Sequence, residues 1–473
     1  MLISFKVSNF KSILEPVCLN MLADQDDKVL AQNLYEIEGV DEKVNPFSVI
    51  MGANGSGKSS VLDALKFTRE FFLRRGITYI PRNKLASSEM PSRFEVCFYM
   101  TRSMIAEPIQ KYELEISSSG IACEKIFCLK GNEWNELWNH DFPLESESLD
   151  GKENLNIAWD KEDLSELEGY SNTYDTVQFF KNLVFFNSID NDLDQYFSAD
   201  MSEYTLKNIA MLDPEIRPLI RTDSNASQPF FKEALMKLLN ALGVDVMDLV
   251  FKKIGTDLYC EDAGTSHEFI DSGTFPSVEE LDESEHELED DIRVIDVPDK
   301  DTVEEFSFAK IRTYALVELI YRSYSMPIVE ESAGTIRLVK LAFTMLNGLF
   351  HSEDIVLFID EMDAGLHDAL SAEVVRQFFN CSRKIEARSE SGEKERSQLI
   401  VTSHNTVLLK DGTIRKDQIW FAEMKEENRT TDLYSLSDLK GVKSTEDFAE
   451  NYLRGAYGAI PKRASFEEEK EDE

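Results

Sequence analysis

Two short segments about three hundred residues apart have to meet in space for either to make chemical sense. The first, Gly52-Ala53-Asn54-Gly55-Ser56-Gly57-Lys58-Ser59, satisfies the phosphate-loop pattern G-x-x-x-x-G-K-[ST] in full. Its glycines let the backbone curl so that successive N–H groups, and the positive end of the helix that follows, face phosphate oxygens. Gly52, Asn54, Gly55, Ser56, Gly57, Lys58, Ser59 and Ser60 are therefore the predicted ATP-binding residues. Lys58 is expected to reach the β- and γ-phosphates and the Ser59 hydroxyl to ligate Mg²⁺. The second segment, Ile355-Val356-Leu357-Phe358-Ile359-Asp360-Glu361, is an apolar run ending in two carboxylates, as expected of a buried parallel strand. Asp360 is the candidate second ligand of the metal, and Glu361 the group that orients and activates water. The context agrees: the phosphate loop follows the apolar stretch Phe47 to Met51 and precedes a helical pattern at Val61, Leu62, Leu65 and Phe72.

The separation itself selects a class. Ring-forming AAA+ and RecA-like proteins place the Asp-Glu strand soon after the phosphate loop, whereas the ATP-binding-cassette (ABC) class tolerates a large insertion. That class carries further markers in fixed order, and this chain has candidates for each. Ser332-Ala333-Gly334-Thr335 opens a helical stretch just before the Asp-Glu strand. Its hydroxyl and small-residue N–H groups suit an anion delivered from an opposite subunit, although the same residues also suit a plain helix N-cap. Asp363 follows Glu361 in the loop that would touch the partner subunit, where His367 is expected to cap or pack. Leu399-Ile400-Val401-Thr402-Ser403-His404 is a second buried-strand pattern, ending in a histidine placed to sense the γ-phosphate. Lys58, Glu361 and His404 are thus the catalytic candidates, Ser59 and Asp360 the metal ligands, and residues 332–335 a signature loop acting in trans. The order implies a head-to-tail dimer, or a higher homo-oligomer, with two shared ATP sites that loosen on hydrolysis.

Charge bears on partners. The formal net charge of −39 leaves little room for the broad basic face that phosphate neutralisation requires. It fits a solvated acidic surface or a docking surface for a basic protein. Six scattered cysteines suit a reducing compartment. Cys123 and Cys128 form the closest pair and read as ordinary thiols near a strand. No stretch approaches eighteen uncharged apolar residues and the opening Met1 to Lys6 reads as a strand, so a cytoplasmic protein without a membrane segment is expected.

The expected fold class is α/β: an ABC-type ATPase head, with a mixed or parallel sheet carrying the phosphate loop plus an antiparallel β-subdomain, and a largely helical insertion. Residues 1–130 would form the N-terminal half of the core, with alternating strands at 94–99, 112–116 and 121–129 and a hairpin turn at Ser118-Ser119-Gly120. Residues 131–320 would be the insertion, mainly helical over 175–255 and interrupted by an acidic stretch at 277–291 that cannot bury enough apolar surface to order itself. Residues 321–461 would supply the C-terminal half, and 462–473 an acidic disordered tail.

The opening Ile3-Ser4-Phe5-Lys6-Val7-Ser8-Asn9-Phe10-Lys11-Ser12-Ile13 resembles the start shared by RecF, SMC and OLD-type ATPases. That resemblance places Lys11 near the nucleotide, where it could contact a phosphate. A long coiled coil of the SMC kind is missing from the pattern. The chain is more similar to the RloA / AbiL-type bacterial antiphage ATPases, which are related to those of the PARIS and Septu systems. The shared stretches are residues 51–59, 331–338 and 359–367, together with the more specific Lys416 to Phe421 and Asn451 to Pro461. The resemblance implies a Mg²⁺-dependent defence ATPase encoded beside a toxic effector, such as a nuclease of the Toprim or RloB type. The chain itself shows no catalytic triad and no histidine cluster, which puts any toxic chemistry in the partner. Ala333 stands where many relatives have Ser or Gly, and no residue is assigned as the class's water-positioning glutamine. The competing expectation is a RecF- or SMC-like ATPase that binds DNA directly in repair. The negative charge argues against it, and salt-dependent DNA binding separates the two.

Overall fold

The computed structural model describes residues 1–37, 40–74, 80–117, 120–140, 171–187, 228–260, 309–351, 354–386, 396–410 and 414–460. In chain order the first elements are β1 (Leu2–Ser8), β2 (Val17–Asn20), β3 (Tyr35–Glu36), β4 (Lys43–Val44), β5 (Phe47–Met51) and α1 (Lys58–Arg74). Then come β6 (Ser92–Tyr99), β7 (Ile109–Ser117), β8 (Gly120–Lys130), β9 (Glu133–His140), α2 (Ser171–Lys181) and β10 (Leu183–Asn187). The middle of the chain contributes α3 (Gln228–Ala241), β11 (Asp248–Cys260), β12 (Ala309–Ile320), β13 (Ser325–Pro327) and α4 (Ala333–His351). The last are β14 (Val356–Asp360), α5 (Asp368–Glu386), β15 (Gln398–Thr402), β16 (Ile419–Met424), β17 (Thr431–Ser435) and α6 (Phe448–Leu453).

These form two compact units, one of residues 1–188 with 344–473 and the other of residues 189–343. The first holds two six-stranded sheets. One is antiparallel in the order β2-β1-β6-β7-β8-β9, and the other runs β10-β14-β15-β5-β16-β17, parallel apart from the final β16–β17 hairpin. β5, β14 and β15 are buried along their whole length, which is why they read as largely apolar runs. In the antiparallel sheet β7 instead alternates, burying every second residue from Gln110 to Ile116. α1 packs against strands of both sheets. Its Phe67 meets Phe10 and Phe94, and its Phe72 meets Tyr112 and Phe180, at ring-centroid distances of 4.8–5.4 Å, while Phe67 stacks on Phe71 at 6.2 Å. Each fully buried ring of this kind contributes about 1.5–3 kcal/mol relative to exposure, so the helix behind the phosphate loop is firmly anchored.

Buried polar side chains stitch the sheets to each other. Gln398, at the start of β15, accepts from Leu2 N at 2.6 Å and donates to Leu2 O and Asn45 O at 3.0 and 3.1 Å. Arg415 is 1% exposed and donates to Asp417 and to the carbonyls of Asp24, Asp27 and Val29. A buried guanidinium is tolerated because carboxylate and carbonyls together satisfy it. The Lys416 to Phe421 stretch therefore builds this clamp and the start of β16. Asn451 to Ile460 likewise builds an end cap: Phe421, Tyr434, Tyr452 and Tyr457 cluster, Tyr434 donates to Tyr457 O at 2.8 Å, and Tyr452 donates to Ala459 O at 3.1 Å.

The second unit departs from the expectation of a largely helical insertion. Beside α3 it contains the antiparallel sheet β11-β12-β13, in which Asp248 pairs with Ile320 and Cys260 with Ala309. Helical spacing holds for Phe230 to Leu242, but Leu249-Val250-Phe251 begins a long strand whose partner lies far along the chain. The stretch 277–291, the tail 462–473 and the turn residues Ser118 and Ser119 lie outside the described residues. Strands β7 and β8, which flank that turn, pair Ser117 with Gly120. No helix among the described residues is long and apolar enough to cross a membrane.

Candidate functional site

The site lies at the carboxyl ends of the central parallel strands, where an open α/β sheet ordinarily presents its ligand crevice. β5 runs into the phosphate loop, β14 into Glu361, and β15 into His404. Gly57 has φ +97°, and a Cβ built on it would lie 1.9 Å from Thr431 Oγ1, so only glycine fits there. Gly52 has φ +151°, and its Cβ would lie 2.3 Å from the Ala422 carbonyl oxygen. At Gly52 and Gly57 the loop is thus held against β16 and β17 with no room for a side chain.

Around it is a cavity of about 460 Å³, lined by Asn54 to Ser60 together with Ser12, Glu361, Asp363, Ala364, His404 and Met424. Lys58 is 6% exposed, and its Nζ donates to Gly52 O and Ala53 O at 3.0 Å each. Burial pulls its pKa down from 10.5 to about 8, against the opposing pull of Asp360, Asp363 and Glu361. Ser59 Oγ donates to Asp360 Oδ1 at 3.2 Å, which brings the two distant segments into direct contact.

Thr402 ties the acidic end of β14 together. Its hydroxyl donates to Asp360 Oδ1 at 2.5 Å and accepts from Glu361 N at 2.7 Å. Glu361 sits at φ +48°, a left-handed conformation uncommon for a non-glycine residue, so its backbone depends on such support. Asp363 braces the next loop: it accepts from Ser403 Oγ at 2.7 Å and from His404 N at 3.1 and 3.3 Å. The His404 pKa is lowered by burial first and then by the Lys58 charge; Asp363, Glu361 and a hydrogen bond with the Gly52 backbone oppose the shift. Its imidazole is therefore biased toward the neutral form.

The other candidates fall elsewhere. Lys11 does not line the cavity; its Nζ pairs with Asp63 Oδ2 at 2.6 Å, while its neighbour Ser12 does line it. His367 Nδ1 accepts from Ala369 N at 3.3 Å, capping α5. Ser332, Ala333, Gly334 and Thr335 lie in the second unit, with Ser332 and Ala333 exposed and Gly334 and Thr335 half-buried. Ser332 Oγ accepts from Thr335 N at 3.1 Å and contacts Thr335 Oγ1 at 2.9 Å, an N-cap for α4 that also leaves the serine on the surface. Ser12, Thr402 and Thr431 were not singled out as site residues. Ser12 falls within the opening motif and Thr402 just before His404, whereas Thr431 carries no local signal.

The residues fit a magnesium nucleotide. Hydroxyl and carboxylate oxygens from Ser59 and Asp360 are hard donors of the kind Mg²⁺ selects. Ser56 Oγ is buried within the loop and has no hydrogen-bond partner among the described residues, as a group built for a ligand oxygen would be.

A complete phosphate loop on a parallel sheet, meeting an Asp-Glu strand and a strand that ends in histidine, defines a P-loop protein of the ABC/AAA ATPase class. The family described as "AAA domain, putative AbiEii toxin, Type IV TA system" matches residues 47–232 and 322–410, more than half of the chain, and the protein belongs to it. No curated protein matches the sequence. Among solved structures, an SMC head bound to the C-winged helix domain of ScpA is similar at TM-score 0.44 and 14% identity, over 92% of this chain and 97% of that one. The SMC head domain from Thermotoga maritima has TM-score 0.38 and 12% identity, over 92% and 98% of the two chains. An SMC head with a coiled coil and joint from Pyrococcus yayanosii has TM-score 0.42 and 13% identity, over 96% and 99%.

Proposed function

We propose that this protein is a Mg²⁺-dependent ATP hydrolase working as an ATP-driven dimeric switch in a bacterial antiphage defence system, where it controls a co-encoded toxic effector, most simply a nuclease. The observation that carries the hydrolase reading is the meeting of Lys58, Ser59, Asp360, Glu361 and His404 around one cavity. Ser59 and Asp360 would hold the Mg²⁺, which when bound draws charge from the β- and γ-phosphate oxygens. Lys58 offers its ammonium to those same oxygens. Glu361, at the cavity wall, accepts the proton of the attacking water, and the neutral His404 donates a hydrogen bond to the γ-phosphate.

Sharing of the site between two copies is supported by the exposed Ser332 at the start of α4, available to a neighbouring molecule. The effector and defence reading rests on membership of a family described as a toxin–antitoxin one, and on the resemblance to RloA / AbiL-type ATPases. The strong negative charge favours a protein partner over nucleic acid, in the cytoplasm. The test measures phosphate release from ATP with and without Mg²⁺, and phage protection by cells carrying this gene with its neighbour. Mg²⁺-dependent turnover lost in Glu361→Gln, with protection lost in the same variant, supports the reading. Protection by an inactive variant would detach the switch from hydrolysis.

A further inference from the structure

Outside the phosphate loop and the Asp-Glu strand, two hydroxyl residues reach the loop from opposite ends of the chain. Thr431, the first residue of β17, is 1% exposed. Its Oγ1 lies 2.7 Å from Ser12 Oγ and 3.1 Å from the Ser56 carbonyl oxygen, and its backbone N–H donates to Ser12 O at 2.9 Å. Ser12 Oγ in turn lies 2.8 Å from Ser60 Oγ. The missing Cβ of Gly57 is what lets Thr431 approach: an added carbon would lie 1.9 Å from Thr431 Oγ1 and 2.8 Å from Ser12 Oγ. The hydroxyls at 431, 12 and 60 thus form a connected row along the loop, and its last two members line the cavity.

We propose that Thr431 is a positioning residue of the nucleotide site, acting through Ser12 to fix the phosphate loop and to aim the Ser60 hydroxyl at a phosphate oxygen. Each hydroxyl has one proton. If Thr431 donates to Ser12 and Ser12 to Ser60, the Ser60 proton has no acceptor among the described residues and faces the cavity. An anionic oxygen there selects this arrangement, because a hydrogen bond to a charged acceptor outweighs one to a neutral carbonyl. Without ligand, Thr431 can turn its proton to the Ser56 carbonyl instead. The row therefore gives the cavity one more donor when phosphate is present, and it makes β17 part of the binding site. Thr431 touches no substrate; it acts through its neighbours.

The inference rests on the reading of the cavity as an ATP site. The experiment measures binding of a fluorescent ATP analogue, steady-state kinetics and thermal unfolding for the wild type, Thr431→Val, Thr431→Ser, Ser12→Ala and the double variant Ser12→Ala/Thr431→Val. Thr431→Val keeps the shape and removes the hydroxyl. It is expected to weaken analogue binding about tenfold, the effect of one lost net hydrogen bond to a charged network, with KM rising more than kcat falls. Thr431→Ser is expected to bind like the wild type, and the double variant no more weakly than the weaker single one. Wild-type binding by Thr431→Val, failure of Thr431→Ser to restore it, or additive losses in the double variant would each overturn the proposal. Ser12→Ala, at a half-buried position, keeps the test open should Thr431→Val fold poorly. A wild type that binds no ATP analogue would instead sink the ATP-site reading itself.

Discussion

Replacing Thr402 by valine removes one hydroxyl and leaves the side-chain shape intact, so the expected losses follow from the two bonds that hydroxyl makes. It supplies the acceptor for Glu361 N at 2.7 Å and donates to Asp360 Oδ1 at 2.5 Å. Orphaning a buried N–H costs about 1–3 kcal/mol, and a hydrogen bond to a charged group contributes about 1.5–3 kcal/mol. The two are coupled through one atom, so about 2–4 kcal/mol is a reasonable total rather than their sum. Because Glu361 sits at φ +48°, releasing its N–H lets the turn relax and carries the carboxylate out of place. If most of that loss falls on the transition state, kcat drops by roughly 30- to 1000-fold. Any part that falls on the folded state shows as a lower Tm, about 1–2 °C per kcal/mol for a unit of this size. Phosphate release at saturating ATP, binding of a non-hydrolysed analogue, and melting without ligand separate these outcomes. The expected pattern is a large loss in kcat with analogue binding changed far less, and recovery in Thr402→Ser. Turnover at the wild-type rate by Thr402→Val would refute the idea that this hydroxyl holds the Asp-Glu turn.

Lys58→Ala is expected to abolish binding of an ATP analogue and phage protection together; protection without binding would remove the phosphate loop from the account. Lys58 also carries a pH signature. Its folded pKa, about 8 against 10.5, means the cost of burying its charge is fully present below about pH 8 and fades as pH rises toward 10.5, where the unfolded chain holds the extra proton. Lys58→Met should therefore raise the ligand-free Tm at neutral pH, with a gain that shrinks as pH rises through that window; a lower Tm at neutral pH would contradict the assignment. Glu361→Gln should bind ATP, hydrolyse it slowly and accumulate as a dimer in size-exclusion chromatography with light scattering, and a variant as fast as the wild type would clear Glu361 of its role. Binding to a DNA duplex should be weak and lack a steep dependence on salt, and a strong salt slope would favour the DNA-clamping alternative.

What was legible in the sequence is what chemistry forces into contiguous residues. A phosphate cradle needs its glycines, lysine and serine side by side, so residues 52–59 declare themselves, and a strand buried on both faces has to be apolar, as Val356 to Ile359 and Leu399 to Val401 are. The supporting residues were hidden because their meaning is a long-range pairing. Ser12 and Thr431 are 419 positions apart, and Gln398 and Leu2 are 396 apart. No local pattern marks a lone serine, threonine or glutamine as a partner for one so distant. The β11–β12 sheet was missed for a related reason: after Leu249-Val250-Phe251, Lys252, Lys253 and Gly255 break the alternation that identifies a strand. Lys11 was expected near a phosphate through the resemblance of its motif, but Asp63 of α1 lies within ion-pairing reach and takes its ammonium.

The central claim, that each ATP site is finished by a second copy, is tested most directly by mixing two inactive proteins. Lys58→Ala lacks a working phosphate loop and Ser332→Arg lacks a usable signature loop, so each alone should release no phosphate from ATP. In a mixed dimer one site would combine the intact loop of each. Equal amounts are then expected to regain roughly a quarter of the wild-type rate, since half of the dimers are mixed and each has one sound site. If the mixture stays as inactive as its components, or if Ser332→Arg alone turns over like the wild type, the shared site does not exist.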